Sequence, residues 1–126
     1  MHIDKVLLVD DDPDIRKICH LSLTSVGKWK VFLASSGAEA LALAEDEHPD
    51  LILLDVMMPG MDGLTTLNRL KESPQLMATP VILMTAKVQR HEVERYRGLG
   101  ARGVISKPFD PMTLPREILR VLDASA

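Results

Sequence analysis

The chain has 126 residues, a net charge of −3 and 26% charged residues, which suits one globular domain and argues against disorder or a strongly basic nucleic-acid-binding chain. No apolar run approaches the roughly 18 residues that span a bilayer, and the first residues lack the pattern of a signal peptide, so we expect no membrane insertion and a cytoplasmic location. The single Cys19 cannot form an internal disulfide, which agrees with a reducing compartment.

Short apolar runs alternate with helical patterns along the whole chain. In chain order we predict a strand at 5–9, a helix at 13–26, a strand at 29–33, a helix at 36–47, a strand at 51–54, a helix at 63–72, a strand at 80–84, a helix at 88–99, a strand at 103–106 and a helix from 113 onward.

Local signals mark several helix ends. Asp12 and Asp62 are suited to cap the first and third helices, and the run Ser36-Gly37-Ala38-Glu39 is typical of a capping box. In the last helix, the spacing predicts that four apolar side chains face inward. These are Leu114, Ile118, Leu119 and Leu122.

The alternation of strands and helices predicts an α/β fold with a parallel sheet covered on both faces. Right-handed crossovers leave few topologies, and a doubly wound (βα)5 arrangement with the flavodoxin-like strand order 2-1-3-4-5 is the natural one. The chain shows no linker or repeat, so we expect residues 1–126 to form a single domain with no output domain.

Polar side chains follow four of the five predicted strands. Asp10 and Asp11 follow the first strand, and Asp55 follows the third. Thr85 follows the fourth strand and Lys107 follows the fifth. Because the carboxyl ends of parallel strands meet at one edge of the sheet, near the switch point where ligands bind, these five side chains are the candidate site.

Three carboxylates in one crevice repel each other, and a hard divalent cation such as Mg²⁺ is the natural counter-charge. An aspartate can act as a nucleophile toward a phosphoryl group and form an aspartyl phosphate. That transfer needs positioning and neutralised oxygen charge, which a cation and the Lys107 ammonium supply. The Thr85 hydroxyl can donate to a phosphoryl oxygen.

These residues carry a resemblance that spans the chain from Val6 to Leu122: it resembles the receiver domain of two-component response regulators, the CheY-like superfamily. The matching segments are Val9-Asp10-Asp11, then Asp55-Val56-Met57-Met58-Pro59-Gly60-Met61-Asp62-Gly63, then Met84-Thr85-Ala86, and finally Ser106-Lys107-Pro108-Phe109.

The resemblance implies that Asp55 is the phosphoacceptor. It implies direct Mg²⁺ ligands from Asp11, Asp55 and the backbone carbonyl of Met57, with Asp10 acting mainly through a bound water. Thr85 and Lys107 become phosphate contacts, and the Lys107–Pro108 bond is expected to be cis.

The same resemblance implies the partners and marks one departure. The phosphodonor is a sensor histidine kinase or a histidine phosphotransfer protein, and the chain signals by protein contact rather than as an enzyme. We expect the downstream target to bind the face formed by helix four, strand five and helix five, where Tyr96 is a candidate contact and where residues 87–120 hold eight basic and four acidic side chains. The family usually has an aromatic residue three positions before the lysine, and here Val104 stands there.

Two other functions remain open on the sequence. One is a pseudo-receiver that binds partners without phosphorylation, which Val104 favours and the complete set of site residues disfavours. The other is a phosphatase with an aspartyl-phosphate intermediate, because Asp10-Asp11-Asp12 contains the Asp-x-Asp spacing of haloacid-dehalogenase-like enzymes; Asp14 does not continue that motif.

Overall fold

The structure is a computed structural model that describes residues 2–86 and 89–124. Strands and helices alternate along these residues. The strands are β1 (Lys5–Val9), β2 (Lys30–Ala34), β3 (Leu51–Asp55), β4 (Val81–Thr85) and β5 (Gly103–Ser106). The helices are α1 (Pro13–Leu21, continued by a π-helical turn at Ser22–Val26), α2 (Gly37–Glu47), α3 (Gly63–Glu72), α4 (Arg90–Gly98) and α5 (Leu114–Ala124).

The five strands form one parallel sheet in the order β2-β1-β3-β4-β5, so the predicted fold class and strand order are confirmed. The register places Asp55 beside Met84 and Thr85 beside Ser106. Because neighbouring strands end almost level, the residues that follow them are brought to one edge of the sheet.

Strand side chains alternate between two hydrophobic layers, as the pleat requires. In β1, Leu7 and Val9 pack on the side of α2, α3 and α4, while Val6 and Leu8 pack on the side of α1 and α5. Helical partners in the first layer are Ala40, Ala44, Leu67, Leu70 and Tyr96, and those in the second are Cys19, Leu23, Leu114, Ile118 and Leu122. With both sheet faces covered, the strand ends are where a site can open to solvent.

The helix starts follow the predicted capping chemistry. The Asp12 side chain accepts a hydrogen bond from the Asp14 N–H, and the Asp62 side chain accepts one from the Thr65 N–H at 2.8 Å. The Ser36 hydroxyl accepts from the Glu39 N–H at 3.2 Å. These bonds satisfy N–H groups that a helix leaves unpaired in its first turn.

The end of the first helix differs from the prediction. A regular helix through residue 26 was expected, but the chain widens into the π-helical turn, where the Gly27 N–H donates to the Ser22 carbonyl at 3.2 Å. Ser22 is buried in an otherwise apolar stripe, and its hydroxyl donates to the Pro111 carbonyl. A buried hydroxyl requires such a partner, and periodicity alone does not reveal it.

Two side-chain predictions were wrong. Leu119 was expected to face inward but is 43% exposed, because Leu114, Ile118 and Leu122 define the inner face at intervals of four residues and Leu119 lies beside that face. Tyr96 was a candidate for the partner surface but is buried in the core beneath α4.

Element ends shifted by small amounts. β2 and β4 each begin and end one residue later than predicted, and β3 extends to Asp55, because ladder pairing continues to those residues. Helix α4 runs from Arg90 to Gly98, and the predicted start at residue 88 lies outside the described residues. Within residues 2–86 and 89–124, no helix is long and apolar enough to cross a membrane.

Asp50 ties the start of β1 to the start of β3. Its carboxylate accepts hydrogen bonds from the N–H groups of Asp4 and Lys5, both at 2.9 Å. The bond from Lys5 is the main reason that the pKa of Asp50 lies below its usual value; burial opposes the shift, and the bond from Asp4 adds to it. The ionised carboxylate therefore stabilises the folded chain.

We expect Asp50→Ala to lower the free energy of unfolding by about 1 kcal/mol at pH 7, since the carboxylate is partly solvated. A depressed folded-state pKa gives stability above the unfolded value of about 4, and that stability is lost as the pH falls through the folded value. Urea unfolding should therefore show a smaller difference in the free energy of unfolding between the wild type and Asp50→Ala at pH 3 than at pH 7. Asp46→Ala, an exposed change on α2, is the control, and an equal loss there would contradict this role for Asp50.

Candidate functional site

The predicted site residues lie together at the carboxyl edge of the sheet. Asp10 is fully buried directly after β1, and Asp55 is 4% exposed as the last residue of β3. Asp11 is exposed. One carboxylate oxygen from each of these three residues lies within 4.8 Å of the others. The arrangement is an acidic cluster that could hold a metal ion.

Lys107 enters this cluster from the loop after β5. Its ammonium lies 2.7 Å from Oδ2 of Asp10 and 3.2 Å from Oδ1 of Asp55. The Lys107–Pro108 peptide bond is cis, as expected. One ammonium therefore bridges the carboxylates of β1 and β3.

The charges in the cluster are not balanced. Burial raises the pKa of Asp55, the negative charge of Asp10 raises it further, and Lys107 offsets only part of the effect. Burial lowers the pKa of Lys107, but the hydrogen bond and charge of Asp10, followed by the charge of Asp55, outweigh burial and the net shift is upward. Within residues 2–86 and 89–124, one ammonium lies among these three carboxylates, an arrangement that favours a further positive charge.

Backbone contacts hold the acidic residues in place. The Asp12 N–H donates to Oδ1 of Asp10 at 2.9 Å, and the Arg16 guanidinium donates to the Asp10 carbonyl at 2.7 Å. The Met57 N–H donates to Oδ1 of Asp55 at 3.4 Å. Both oxygens of Asp10 are thus engaged, whereas Oδ2 of Asp55 makes no hydrogen bond within the described residues.

Thr85 stands at the end of β4 and is nearly buried. Its carbonyl accepts a hydrogen bond from the Lys107 N–H at 2.8 Å, which joins the ends of β4 and β5. The next residue, Ala86, is small and exposed. Val104, on β5, is half-buried and packs against the core on the side of α4.

Sequence reasoning missed two supporting residues. Arg16 was read only as part of a helix, and the signal for its role is its place one turn after Asp12 on α1. Gly63 is predicted to start the third helix and to end the segment Asp55–Gly63 that carries the resemblance, but no contact is predicted for it; its N–H donates to the Val56 carbonyl at 3.0 Å. A Cβ on Gly63 would overlap the Asp55 carbonyl oxygen and lie 2.7 Å from the Cα of Val56, so glycine lets α3 approach the end of β3 closely.

A profile described as the response regulator receiver domain matches residues 6–119. The chain is 39% identical over 121 residues to the probable transcriptional regulator ycf27 of Porphyra purpurea, covering 94% of this chain and 47% of that protein. It is 36% identical over 121 residues to the alkaline phosphatase synthesis transcriptional regulatory protein PhoP of Bacillus subtilis, covering 96% and 49%. The chain thus spans about half the length of these curated relatives.

Comparison with solved structures also indicates a response regulator. The chemotaxis response regulator CheY4 of Vibrio cholerae superposes with a TM-score of 0.88 at 35% identity, covering 96% of this chain and 100% of that one. The chain therefore belongs to the response regulator receiver domain family, a class of signalling domains in two-component systems that interact with histidine kinases.

We expect Gly63→Ala to destabilise the protein by about 1–3 kcal/mol, because the added methyl group meets backbone atoms that cannot turn aside. Urea unfolding measures the change. Gly98→Ala is the matched control: a Cβ there meets nothing within 4 Å, and replacing a helical glycine should be neutral or slightly stabilising. An equally small effect at both positions would mean that α3 does not need this close approach.

Proposed function

We propose that this chain is a phosphorylation switch in which Asp55 accepts a phosphoryl group from a phosphohistidine on a sensor histidine kinase or a histidine phosphotransfer protein. The observation that carries the proposal is the surroundings of Asp55. Its Oδ1 lies 3.2 Å from the Lys107 ammonium, and one of its carboxylate oxygens lies within 4.8 Å of oxygens of Asp10 and Asp11. Its Oδ2 makes no hydrogen bond within the described residues. A carboxylate nucleophile that has one cation beside it, in a cluster able to hold a second cation, suits phosphoryl transfer.

The proposed reaction forms one bond and breaks one. A lone pair on an oxygen of Asp55 attacks phosphorus, the P–N bond to the donor imidazole breaks, and that bond's electrons leave with the imidazole nitrogen, which is protonated by solvent. The product is an aspartyl phosphate. Lys107, already beside Oδ1 of Asp55, neutralises charge on the transferred group, and the Thr85 hydroxyl donates to one of the phosphoryl oxygens.

The donor atoms fit Mg²⁺, which prefers a few carboxylate and carbonyl oxygens and keeps several waters. Asp11, Asp55 and the Met57 carbonyl would hold the ion directly. Asp10 would act through a water, since Lys107 and the Asp12 N–H already occupy its two oxygens. When bound, the ion supplies positive charge to the phosphoryl oxygens.

We further propose that the signal leaves through the face formed by α4, β5 and α5. Val104 has no ring to rotate, so the transmitting element would be the backbone, where the bond between the Lys107 N–H and the Thr85 carbonyl couples β5 to β4. A downstream protein, rather than nucleic acid, is the proposed target, because the chain carries no overall basic excess.

Phosphorylation at Asp55 is tested with acetyl phosphate and intact-mass spectrometry. We expect a gain of one phosphoryl mass that requires Mg²⁺ and is lost in Asp55→Asn, because the amide is not a nucleophile. Asp12→Asn is the matched control, since Asp12 caps α1 and lies outside the acceptor group. That variant should be phosphorylated like the wild type.

Each outcome that departs from this expectation has its own meaning. Uptake that survives in Asp55→Asn would overturn the assignment of the acceptor. No uptake together with no Mg²⁺ binding would favour the phosphorylation-independent pseudo-receiver. No uptake with Mg²⁺ binding intact requires the same assay with a phosphorylated histidine kinase as donor, and a negative result there would end the proposal.

Replacing Lys107 should change cation affinity in a defined direction. We expect Lys107→Gln to bind Mg²⁺ about threefold to tenfold more tightly, because the positive charge that opposes a second cation is gone and about 1 kcal/mol of repulsion is removed. Isothermal titration calorimetry at fixed ionic strength measures this. Lys71→Gln is the control, since the Lys71 ammonium binds the Met77 and Thr79 carbonyls and lies outside the cluster. Weaker Mg²⁺ binding in Lys107→Gln would show that Lys107 positions the carboxylates for the ion rather than competing with it.

A further inference from the structure

Asp11 is the least anchored of the three carboxylates in the acidic cluster. Asp10 and Asp55 are buried, whereas Asp11 is exposed. Within residues 2–86 and 89–124, Asp11 makes no hydrogen bond or ion pair of its own, although one of its carboxylate oxygens lies within 4.8 Å of oxygens of the other two. The direction of its side chain therefore depends on how the backbone on either side of it is held.

Asp12 and Pro13 hold the chain on the C-terminal side of Asp11. The Asp12 side chain accepts a hydrogen bond from the Asp14 N–H at 2.9 Å, and the Asp12 N–H donates to Oδ1 of Asp10 at 2.9 Å. Pro13 is the first residue of α1, where its ring restricts the backbone. The start of the helix thus sets the chain after Asp11.

Arg16 holds the chain on the N-terminal side of Asp11. Its guanidinium Nη1 donates to the Asp10 carbonyl at 2.7 Å. Long helical side chains lean back toward the helix N-terminus, which brings this guanidinium to the turn between β1 and α1. The Asp10 carbonyl lies beyond the last residue of β1, and within the described residues no backbone N–H donates to it. Arg16 supplies the partner that a strand or a helix would otherwise give.

The Asp10 carbonyl belongs to the peptide group that joins Asp10 to Asp11. A peptide group is planar, so holding its oxygen also fixes the direction of its nitrogen and of the Cα of Asp11. The other end of Asp10 is fixed already, because its N–H donates to the Ala34 carbonyl at 3.1 Å. The bond from Arg16 therefore sets the backbone rotation that aims the Asp11 carboxylate.

Arg16 acts on this turn through the backbone and not by pairing with a carboxylate. In the part of the chain that the structure describes, the ion pairs of the cluster are those of Lys107 with Asp10 and Asp55. Burial and the charge of Asp10 raise the pKa of Asp55 and Lys107 lowers it, and Arg16 is not among these influences. Loss of the Arg16 side chain would remove a backbone contact and leave the pairing of the carboxylates in place.

We propose that Arg16 is a positioning residue for the cation site: its bond to the Asp10 carbonyl orients the Asp10–Asp11 peptide group and thereby aims the Asp11 carboxylate at Mg²⁺. The inference rests on the proposed function, in which Asp11 is a direct ligand of that ion. Residues that orient a metal ligand commonly change metal affinity by about tenfold or more when they are replaced.

Mg²⁺ titration followed by NMR of the backbone amides, at fixed ionic strength, measures the dissociation constant and shows in the same spectra whether each variant folds. We expect Arg16→Met to raise the dissociation constant about threefold to tenfold, because the Asp11 carboxylate is no longer aimed at the ion. Charge alone predicts the opposite sign, since removing a positive charge near an acidic cluster favours binding of a cation. The direction of the change thus separates positioning from electrostatics.

Lys17→Met is the matched control. Lys17 is the next residue on α1, is exposed, and makes no hydrogen bond or ion pair within the described ranges. Its replacement removes the same charge without touching the Asp10 carbonyl, so the affinity for Mg²⁺ should stay the same or rise slightly.

A double-mutant cycle tests whether Arg16 acts through Asp11. Asp11→Asn should weaken Mg²⁺ binding by itself, and amide NMR still follows weak binding. Adding Arg16→Met to this variant should change the dissociation constant by less than about twofold, because the charged ligand that Arg16 aims is already gone.

The outcomes separate this inference from the proposed function. A wild type that binds no Mg²⁺ overturns both the inference and the cation in the proposed function. Unchanged or tighter binding by Arg16→Met, an equal loss in Lys17→Met, or a full effect of Arg16→Met in the Asp11→Asn variant overturns the inference alone. If Arg16→Met does not fold, Arg16→Gln, whose amide is too short to reach the carbonyl, should show the same loss, and unchanged binding there overturns the inference.

Discussion

The charge imbalance at the carboxyl edge of the sheet is the constraint on which the rest of the structure depends. Within the part of the chain that the structure describes, three carboxylates lie beside one ammonium, and the buried Asp10 and Asp55 share the same lysine. Such a group is costly to assemble, because burial and like charge both oppose ionisation. Fixed hydrogen-bond donors stabilise the Asp10 carboxylate and offset this cost: the Asp12 N–H lies at 2.9 Å and the Lys107 ammonium at 2.7 Å. Within the described residues the cluster keeps an excess of negative charge, which makes it able to hold a cation.

The parallel sheet supplies the precision that this charge cluster needs. Asp55 is itself a strand residue, and Thr85 ends the neighbouring strand, so ladder hydrogen bonds set the distance between them. On one face of the sheet, Gly63 lets α3 pack closely against the backbone of Asp55. On the other face, the Arg16 guanidinium of α1 donates to the Asp10 carbonyl. The site is therefore held by regular elements on both sides, and the segments that follow β1 and β5 add Asp10, Asp11 and Lys107.

Two hydrogen bonds link the end of the sheet to the helices around it. The Lys107 N–H donates to the Thr85 carbonyl and so joins the ends of β4 and β5, while Val104 on β5 carries no aromatic ring. The Ser22 hydroxyl donates to the Pro111 carbonyl and joins the π-helical turn after α1 to the loop that carries Lys107. Lys107 therefore lies in a loop that is tied both to the sheet and to the end of the first helix.

The sequence by itself determined the parallel fold and strand order, the caps at Asp12 and Asp62, and the cluster of Asp10, Asp11 and Asp55. Hydrophobic periodicity and capping chemistry are local properties of the chain. The meeting of parallel strand ends at one edge of the sheet follows from topology. Only the tertiary structure decided what depends on contacts between distant segments. It placed Ser22 against Pro111, where the helix widens, and turned Leu119 outward and Tyr96 inward. It also showed that Gly63 lies against the backbone of Asp55 and that Arg16 donates to the Asp10 carbonyl. Helical spacing limits which side chains can share a face, but the packing of neighbouring elements decides which part of that face is buried.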